Sequence, residues 1–233
     1  MSITTEIQRL RTNVNKIRQD TSDILDAIAN KGVTVPAGSS LDDCAGLVSQ
    51  ITGTATPTLY REQIKDNYYT YVQIGDRYFT IDNLAEDFTG VDTSYAGDAP
   101  YRIAISNHSD YGFYYNNLAV EIIDNWLSSN NSPWRVATKS DYESLLSLDA
   151  GDLKLPVTWD NIYGNTNKSC FSAFSAGYCN AGREQQLGIN AYYITSTREN
   201  DKNYYMNLGT GIGITNTYDT TRNAWSVRLV KDV

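Results

Sequence analysis

Eight residues near the N-terminus, Ile3, Ile7, Leu10, Val14, Ile17, Thr21, Ile24 and Ile28, follow one another at alternating spacings of four and three. That is an unbroken heptad seam, with Ile7, Val14, Thr21 and Ile28 at a and Ile3, Leu10, Ile17 and Ile24 at d. Its flanks are polar: Arg9, Arg11, Asn15, Lys16, Arg18, Gln19 and Asp23. A helix lying on its own globular core carries a wider apolar stripe, so the narrow seam predicts a coiled coil over residues 1–30. Isoleucine at d disfavours two strands, and isoleucine at both positions favours three or four. Glu6 at g faces Arg11 at the following e, which suits parallel chains. The expectation is a parallel homotrimer joined through Ile3, Ile7, Leu10, Val14, Ile17, Ile24 and Ile28. The competing reading is a helix packed on its own domain.

Residues 31–58 read as a joint. Lys31-Gly32 ends the helix, because glycine supplies the left-handed cap. Val33-Thr-Val-Pro36 is an extended bridge, and Ser39 or Ser40 can cap a short helix carrying Leu41, Leu47, Val48 and Ile51. Thr52-Gly-Thr-Ala-Thr-Pro-Thr58 is a threonine-rich linker and the natural boundary with a head over residues 59–233.

Within the head, Tyr68–Ile74, the turn Gly75-Asp76 and Arg77–Ile81 predict a hairpin. Residues 82–113 show no period and read as long loops pinned by aromatics. Leu118, Ile122 and Trp126, with Ala119, Ile123 and Leu127 beside them, predict a helix from about Asn117 to Ser129. Thr138-Lys-Ser-Asp141 resembles a capping box and predicts a second helix burying Tyr142, Leu145 and Leu146. Strands are expected at Ala191–Thr195, Tyr204–Leu208 and Trp225–Val230. The last alternates, Trp225, Val227 and Leu229 inward against Ser226, Arg228 and Lys231 outward. Helices early and an antiparallel sheet late make the fold class α+β.

The net charge of −8 argues against a nucleic-acid binder, which needs basic surface against phosphate. The polar N-terminus predicts no signal peptide, and no apolar run approaches the ~20 residues a membrane span needs. No membrane insertion is expected. Three cysteines, Cys44, Cys170 and Cys179, are no disulfide framework; Cys170 and Cys179 could pair, and free buried thiols are the preferred reading. His108 stands alone, so no metal and no cofactor are expected. Eighteen tyrosines against five phenylalanines mean either rigid contact surface or strand filling.

Two resemblances add to this. The stretch VTVPAGSSLDDCAGLVSQI after a heptad helix resembles a recurrent segment of bacteriophage tail and fibre proteins. The head carries VQIGDRYFTIDNL, DYGFYYNNLAV, WRVATKSDYESLL, FSAFSAGY, NAYYITST and WSVRLVKD. In that order and rough spacing, across about residues 68–232, these resemble the Fibrobacter succinogenes major paralogous domain. That family is similar to the formylglycine-generating-enzyme branch of the C-type lectin fold. The chain departs from it at Ile194-Thr-Ser196, where Trp-Ser-Ser is usual, and at Ala137, where proline is common. The resemblance implies a C-type-lectin-like head on an N-terminal α-helical coiled coil. It also implies a displayed binding domain, in some relatives diversified by retroelements that rewrite asparagine codons.

Residues 198–223 hold asparagine, aspartate, tyrosine, threonine and arginine and read as loops displayed on the sheet. The expected ligand-binding residues are Thr197, Arg198, Asn200, Asp201, Asn203, Tyr204, Asn207, Asn216, Tyr218, Arg222 and Asn223. Tyrosine gives contact area at low entropic cost, and asparagine and threonine give adaptable hydrogen bonds. The expected function is a tail receptor-binding protein carried on the virion, attached to other tail proteins through its N-terminus. Its ligand would lie on the bacterial surface, glycan or protein. A structural tail protein is the alternative. Catalysis is not expected: Cys170 and Cys179 sit in no matching motif, and Glu86/Asp87 and Asp42/Asp43 read as solvated turns. The acidic-Pro-Asn loop and Trp-Asn-Asp strand of calcium-dependent lectins are missing, and Trp159-Asp-Asn161 has the wrong order.

Overall fold

The computed structural model describes residues 3–29, 34–43, 57–95, 97–105, 111–160, 164–200, 202–217 and 221–233. Expectations that rest on Cys44, on Leu47 to Ile51, on His108, on Asp201 and on Tyr218 lie outside them. The chain forms two compact units, Met1–Thr56 and Pro57–Val233.

In the first unit, helix α1 runs over Ile3–Ala29. Ile7, Leu10, Val14, Ile17 and Ile24 are all exposed along it, and Ile28 is buried. The polar flanks support the helix locally: Lys16 pairs with Asp20 at 2.9 Å and Gln19 donates to Asp23 at 2.7 Å. Glu6 is held by Arg9 three residues on. The short predicted helix begins as a single 3-10 turn, Leu41–Asp43, with Ser40 donating to Asp43.

The second unit is mixed α and β, mostly sheet. Its first sheet runs β1(Leu59–Ile64), β2(Asn67–Ile74), β3(Arg77–Thr80), β13(Leu229–Asp232), β6(Arg135–Val136), antiparallel throughout. The predicted hairpin is β2–β3, and β1 extends it by one strand the sequence reading left out. The second sheet runs β11(Ile212–Thr217), β10(Lys202–Leu208), β9(Ala191–Glu199), β12(Asn223–Ser226), β5(Phe113–Tyr115), β4(Arg102–Ala104). A side ribbon of β7(Tyr178–Asn180) and β8(Arg183–Gln185) joins it at β12.

Helix α2 spans Asn117–Ser129, as predicted. Asn116 caps it, accepting from the Ala119 amide at 3.0 Å. Its deepest face is Ala119, Ile123 and Leu127 rather than Leu118, Ile122 and Trp126, which are half-buried. Helix α3 covers only Lys139–Glu143, opened by a complete capping box between Thr138 and Asp141. Because helix gives way to turns after Glu143, Tyr142 and Leu145 are buried but Leu146 is exposed, against expectation. A single turn, α4(Ala150–Leu153), follows.

The largest correction concerns the end of the chain. The run from Trp225 to Val230 is not one half-buried strand but two strands in two sheets, β12 and β13. Both faces are covered: Ser226 and Arg228, expected outward, are 1% and 0% exposed. Ala224 packs in one apolar cluster, Trp225, Val227 and Leu229 in a second and Val230 in a third. Alternation cannot reveal a strand covered on both sides when its second face is polar yet satisfied. Glu86, read as solvated, is also buried, because Asn67 and Tyr69 donate to its Oε1 at 2.9 and 3.2 Å. Asp87 beside it is exposed.

The tyrosines divide between core and surface: Tyr60, Tyr68 and Tyr95 are exposed. Tyr69, Tyr101, Tyr114, Tyr115, Tyr142 and Tyr193 are all buried. Their hydroxyls find partners where the geometry allows, as between Tyr115 and the Glu86 carbonyl at 2.8 Å. Among the described residues no helix is long and apolar enough to cross a membrane.

Candidate functional site

The stretch read as displayed loops is largely sheet. Of residues 198–217, those described fold into the end of β9, all of β10 and β11, with a turn at 200 and a bend at 209–211. Asn200 turns the chain at φ +50°, a conformation asparagine tolerates better than most residues. Strand propensity from the interleaved Tyr, Ile, Thr and Met outweighs the loop character of the asparagines here.

Alternation along β10 then divides the expected binding residues between two faces. Tyr204, Met206 and Leu208 point one way. Met206 and Leu208 join a core with Tyr193 and Phe79, while Tyr204 lies at the rim under the Lys139 ammonium, 4.5 Å from its ring centre. Tyr204 donates to Glu199 at 2.8 Å and sits opposite Asn216 on β11. Thr197 belongs to this side, its hydroxyl accepting from the Lys139 amide at 3.0 Å.

Asn203, Tyr205 and Asn207 take the other face. There the rings of Tyr178, Tyr192, Tyr205 and Trp225 form a continuous row. Tyr178 and Tyr192 are 5.2 Å apart, Tyr192 and Tyr205 5.7 Å, and Tyr205 stacks on Trp225 at 5.8 Å and 19°. The row is assembled from β7, β9, β10 and β12, so no local pattern could reveal it. Burial raises the pKa of both Tyr192 and Tyr205, so their hydroxyls stay protonated at neutral pH. Tyr192 donates to the Gln186 side chain at 2.5 Å.

The Oδ1 atoms of Asn203, Asn207 and Asn117 are buried and accept no hydrogen bond from the protein. Asn203 and Asn117 are 3% and 2% exposed. Asn203 pairs with Arg198, whose guanidinium meets Glu121 at 3.3 Å on the helix that begins at Asn117. A buried carbonyl without a donor costs about 1–3 kcal/mol. All three oxygens lie inside the head; of the face's residues, Tyr178, Tyr205 and Asn207 are half-buried and reach the surface.

Thr197, Tyr204 and Asn216 lie on the opposite face. Arg198 and Asn200 are exposed at the β9–β10 turn. The Arg222 carbonyl accepts from Tyr101 and from Ala181, each at 2.8 Å, and its neighbour Asn223 pairs with Asn180. None of the four rings of the row, Tyr178, Tyr192, Tyr205 and Trp225, was among the binding residues expected from the sequence, nor was Asn117; Asn203 and Asn207 were.

Cys170 and Cys179 are free thiols. Burial pushes the Cys179 thiol up to about 11. No group of three or more His, Cys, Asp or Glu that could hold a metal occurs among the described residues.

No family model, no curated protein and no solved structure matches this chain.

Proposed function

We propose that this is a receptor-binding protein of a bacteriophage tail. A parallel trimeric coiled coil of α1 carries three C-type-lectin-like heads, and each head presents its aromatic–asparagine face to a ligand on the bacterial surface. The observation that carries the binding reading is the aromatic row, in which Tyr178 and Tyr205 are half-buried rather than enclosed and the half-buried Asn207 stands on the same face of β10. Aromatic rings with adaptable amides are the composition of binding surfaces in general.

The trimer is supported by the seam. A 27-residue helix with five exposed seam residues gains little by itself and buries them by self-association. Three linked heads convert later contacts into intramolecular ones, raising avidity by roughly 10²–10⁴. The lectin-like reading of the head is supported by the pairing of its early strand β3 with its late strand β13, which closes the domain ends together. The protonated Cys179 speaks against thiol chemistry of the formylglycine-generating kind.

The test is binding of labelled intact protein to bacterial cells, with Asn207→Leu and Tyr205→Ala as variants. Loss of saturable binding in both, with folding retained, supports the face. Unchanged binding moves the site elsewhere, and no binding to any strain favours the structural tail protein.

A further inference from the structure

Strand β11 ends its sheet, and among the described residues no strand pairs with its outer side. Along an antiparallel pair every second residue turns its N–H and C=O to the partner, and the residues between turn theirs away. The register from Leu208↔Ile212 to Asn203↔Thr217 therefore leaves a row of backbone donors and acceptors on the side of β11 away from β10. Among the described residues none of that row meets another backbone group.

The other terminal strands are guarded. β1 carries Arg61 and Glu62, β4 carries Arg102, β8 carries Arg183 and Glu184, and β6 is two residues long and carries Arg135. Charge and shortness are what keep a sheet edge from taking up another chain. β11 has neither: Ile212-Gly-Ile-Thr-Asn-Thr217 is six residues without charge or proline. No charged residue stands between Lys202 and Asp219.

The side chains agree with the backbone. Ile212 and Ile214 pack at the rim of the Phe79–Tyr193 cluster and are half-buried, and Thr215 and Asn216 are exposed. On the other face Gly213 stands opposite Asn207, and a Cβ built on it would meet nothing within 4 Å. A glycine inside a strand with open space above it leaves room for a neighbouring chain to approach closely.

These features also define what fits. Donors and acceptors that recur every second residue are satisfied by an extended backbone about 4.8 Å away. Half-buried isoleucines and the lack of charge suit an uncharged segment whose alternate side chains are apolar. Pairing with a second copy would bring together chains of net charge −8 each, so a different chain is the better occupant.

We propose that the β11 edge docks an extended, uncharged segment of a partner protein, which adds to the sheet as a further strand and seats one apolar side chain over Gly213. The proposal needs neither the joining of three heads on a stalk nor a bacterial receptor for the aromatic–asparagine face.

Fluorescence anisotropy on the intact protein tests it. The probes are labelled, capped octapeptides that alternate threonine with valine, leucine, phenylalanine or tryptophan, each beside a matched peptide with one central proline. At least one octapeptide is expected to bind saturably, and its proline counterpart about tenfold or more weakly, because proline cannot donate to the edge. Gly213 has no left-handed φ, so Gly213→Lys keeps the strand and places a charge at its edge; it should weaken binding by about tenfold or more. Thr215→Pro and Asn216→Pro remove N–H groups of opposite direction. The one that keeps the wild-type Tm has lost an outward N–H and should lose binding; if both unfold, Gly213→Lys decides. No saturable binding by any octapeptide, equal binding of the proline peptides, or binding unchanged in Gly213→Lys would overturn the proposal. So would sedimentation showing copies that self-associate through this edge, with the association abolished by Gly213→Lys, since the occupant would then be a second copy.

Discussion

Arg228 Nε donates to Asn83 Oδ1 at 2.7 Å across 145 residues of sequence, inside a fully buried pocket of the head. The same guanidinium donates to the carbonyls of Thr80, Phe171 and Ser172 at 2.6, 3.2 and 2.9 Å. It also lies 5.0 Å from the ring centre of Phe171 and 5.1 Å from that of Tyr193. None of these partners is a carboxylate. The charge is held by dipoles and ring faces, and the fork geometry of arginine is what lets one side chain reach them together. Two of the carbonyls belong to the loop in which Cys170 and Ser172 have φ +56° and +53°, so the guanidinium also secures a costly backbone.

Removing that group leaves several buried acceptors without donors. Arg228→Met is therefore expected to destabilise the head by about 3–5 kcal/mol. In a unit of this size that lowers Tm by about 6–20 °C. Arg228→Lys should fall in the same direction, since an ammonium cannot span the set. A melting curve within about 2 °C of wild type for either variant contradicts this role.

Asp141 gives the head an acid-side dependence. Burial raises its pKa, but hydrogen bonds from Arg135 and Thr138 and the Arg135 charge outweigh that and hold it at about 2. A depressed folded-state pKa contributes stability that is present above the unfolded value, near 3.9, and lost as pH falls towards the folded value. The contribution is about 2 kcal/mol. Urea midpoints should fall between about pH 4 and pH 2 for the wild type, and the gap to Asp141→Asn should narrow over the same window. A constant gap would mean that the carboxylate is not what titrates.

Cys179 should be inert. With its thiol pushed up to about 11, almost none is thiolate at neutral pH. Iodoacetamide at pH 7.5, followed by peptide mass mapping, should leave Cys179 unmodified in the folded protein and modify it in urea. Rapid native labelling would show that the burial is not maintained.

The aromatic–asparagine face makes a prediction that separates binding from folding. Asn207→Leu removes an amide whose Oδ1 has no protein donor, so Tm should stay the same or rise. Cell binding should fall by about tenfold or more. A lower Tm with unchanged binding would make Asn207 a structural residue.

How much of this the sequence carried depends on where each pattern is written. The α2 bounds, the β2–β3 hairpin and the Thr138–Asp141 capping box are local patterns, and local patterns are legible. Arg228 and Glu86 were misread as solvent-facing, because the groups that satisfy them come from distant segments. The binding row was only half visible. Tyr192, Asn203, Tyr205 and Asn207 stand in one stretch, but Tyr178 and Trp225 are joined to it only through strand pairing.

The most direct test of the account is the binding of fluorescent intact protein to a panel of bacterial strains, compared with an Ile17→Asp variant whose oligomeric state is measured by sedimentation. Ile17 is 56% exposed on the seam, so the change should abolish the trimer while leaving the head folded. The account predicts a trimer that binds at least one strain saturably, and a monomer whose apparent affinity is lower by roughly 10²-fold or more. A wild-type monomer, or a trimer that binds no strain, would contradict it.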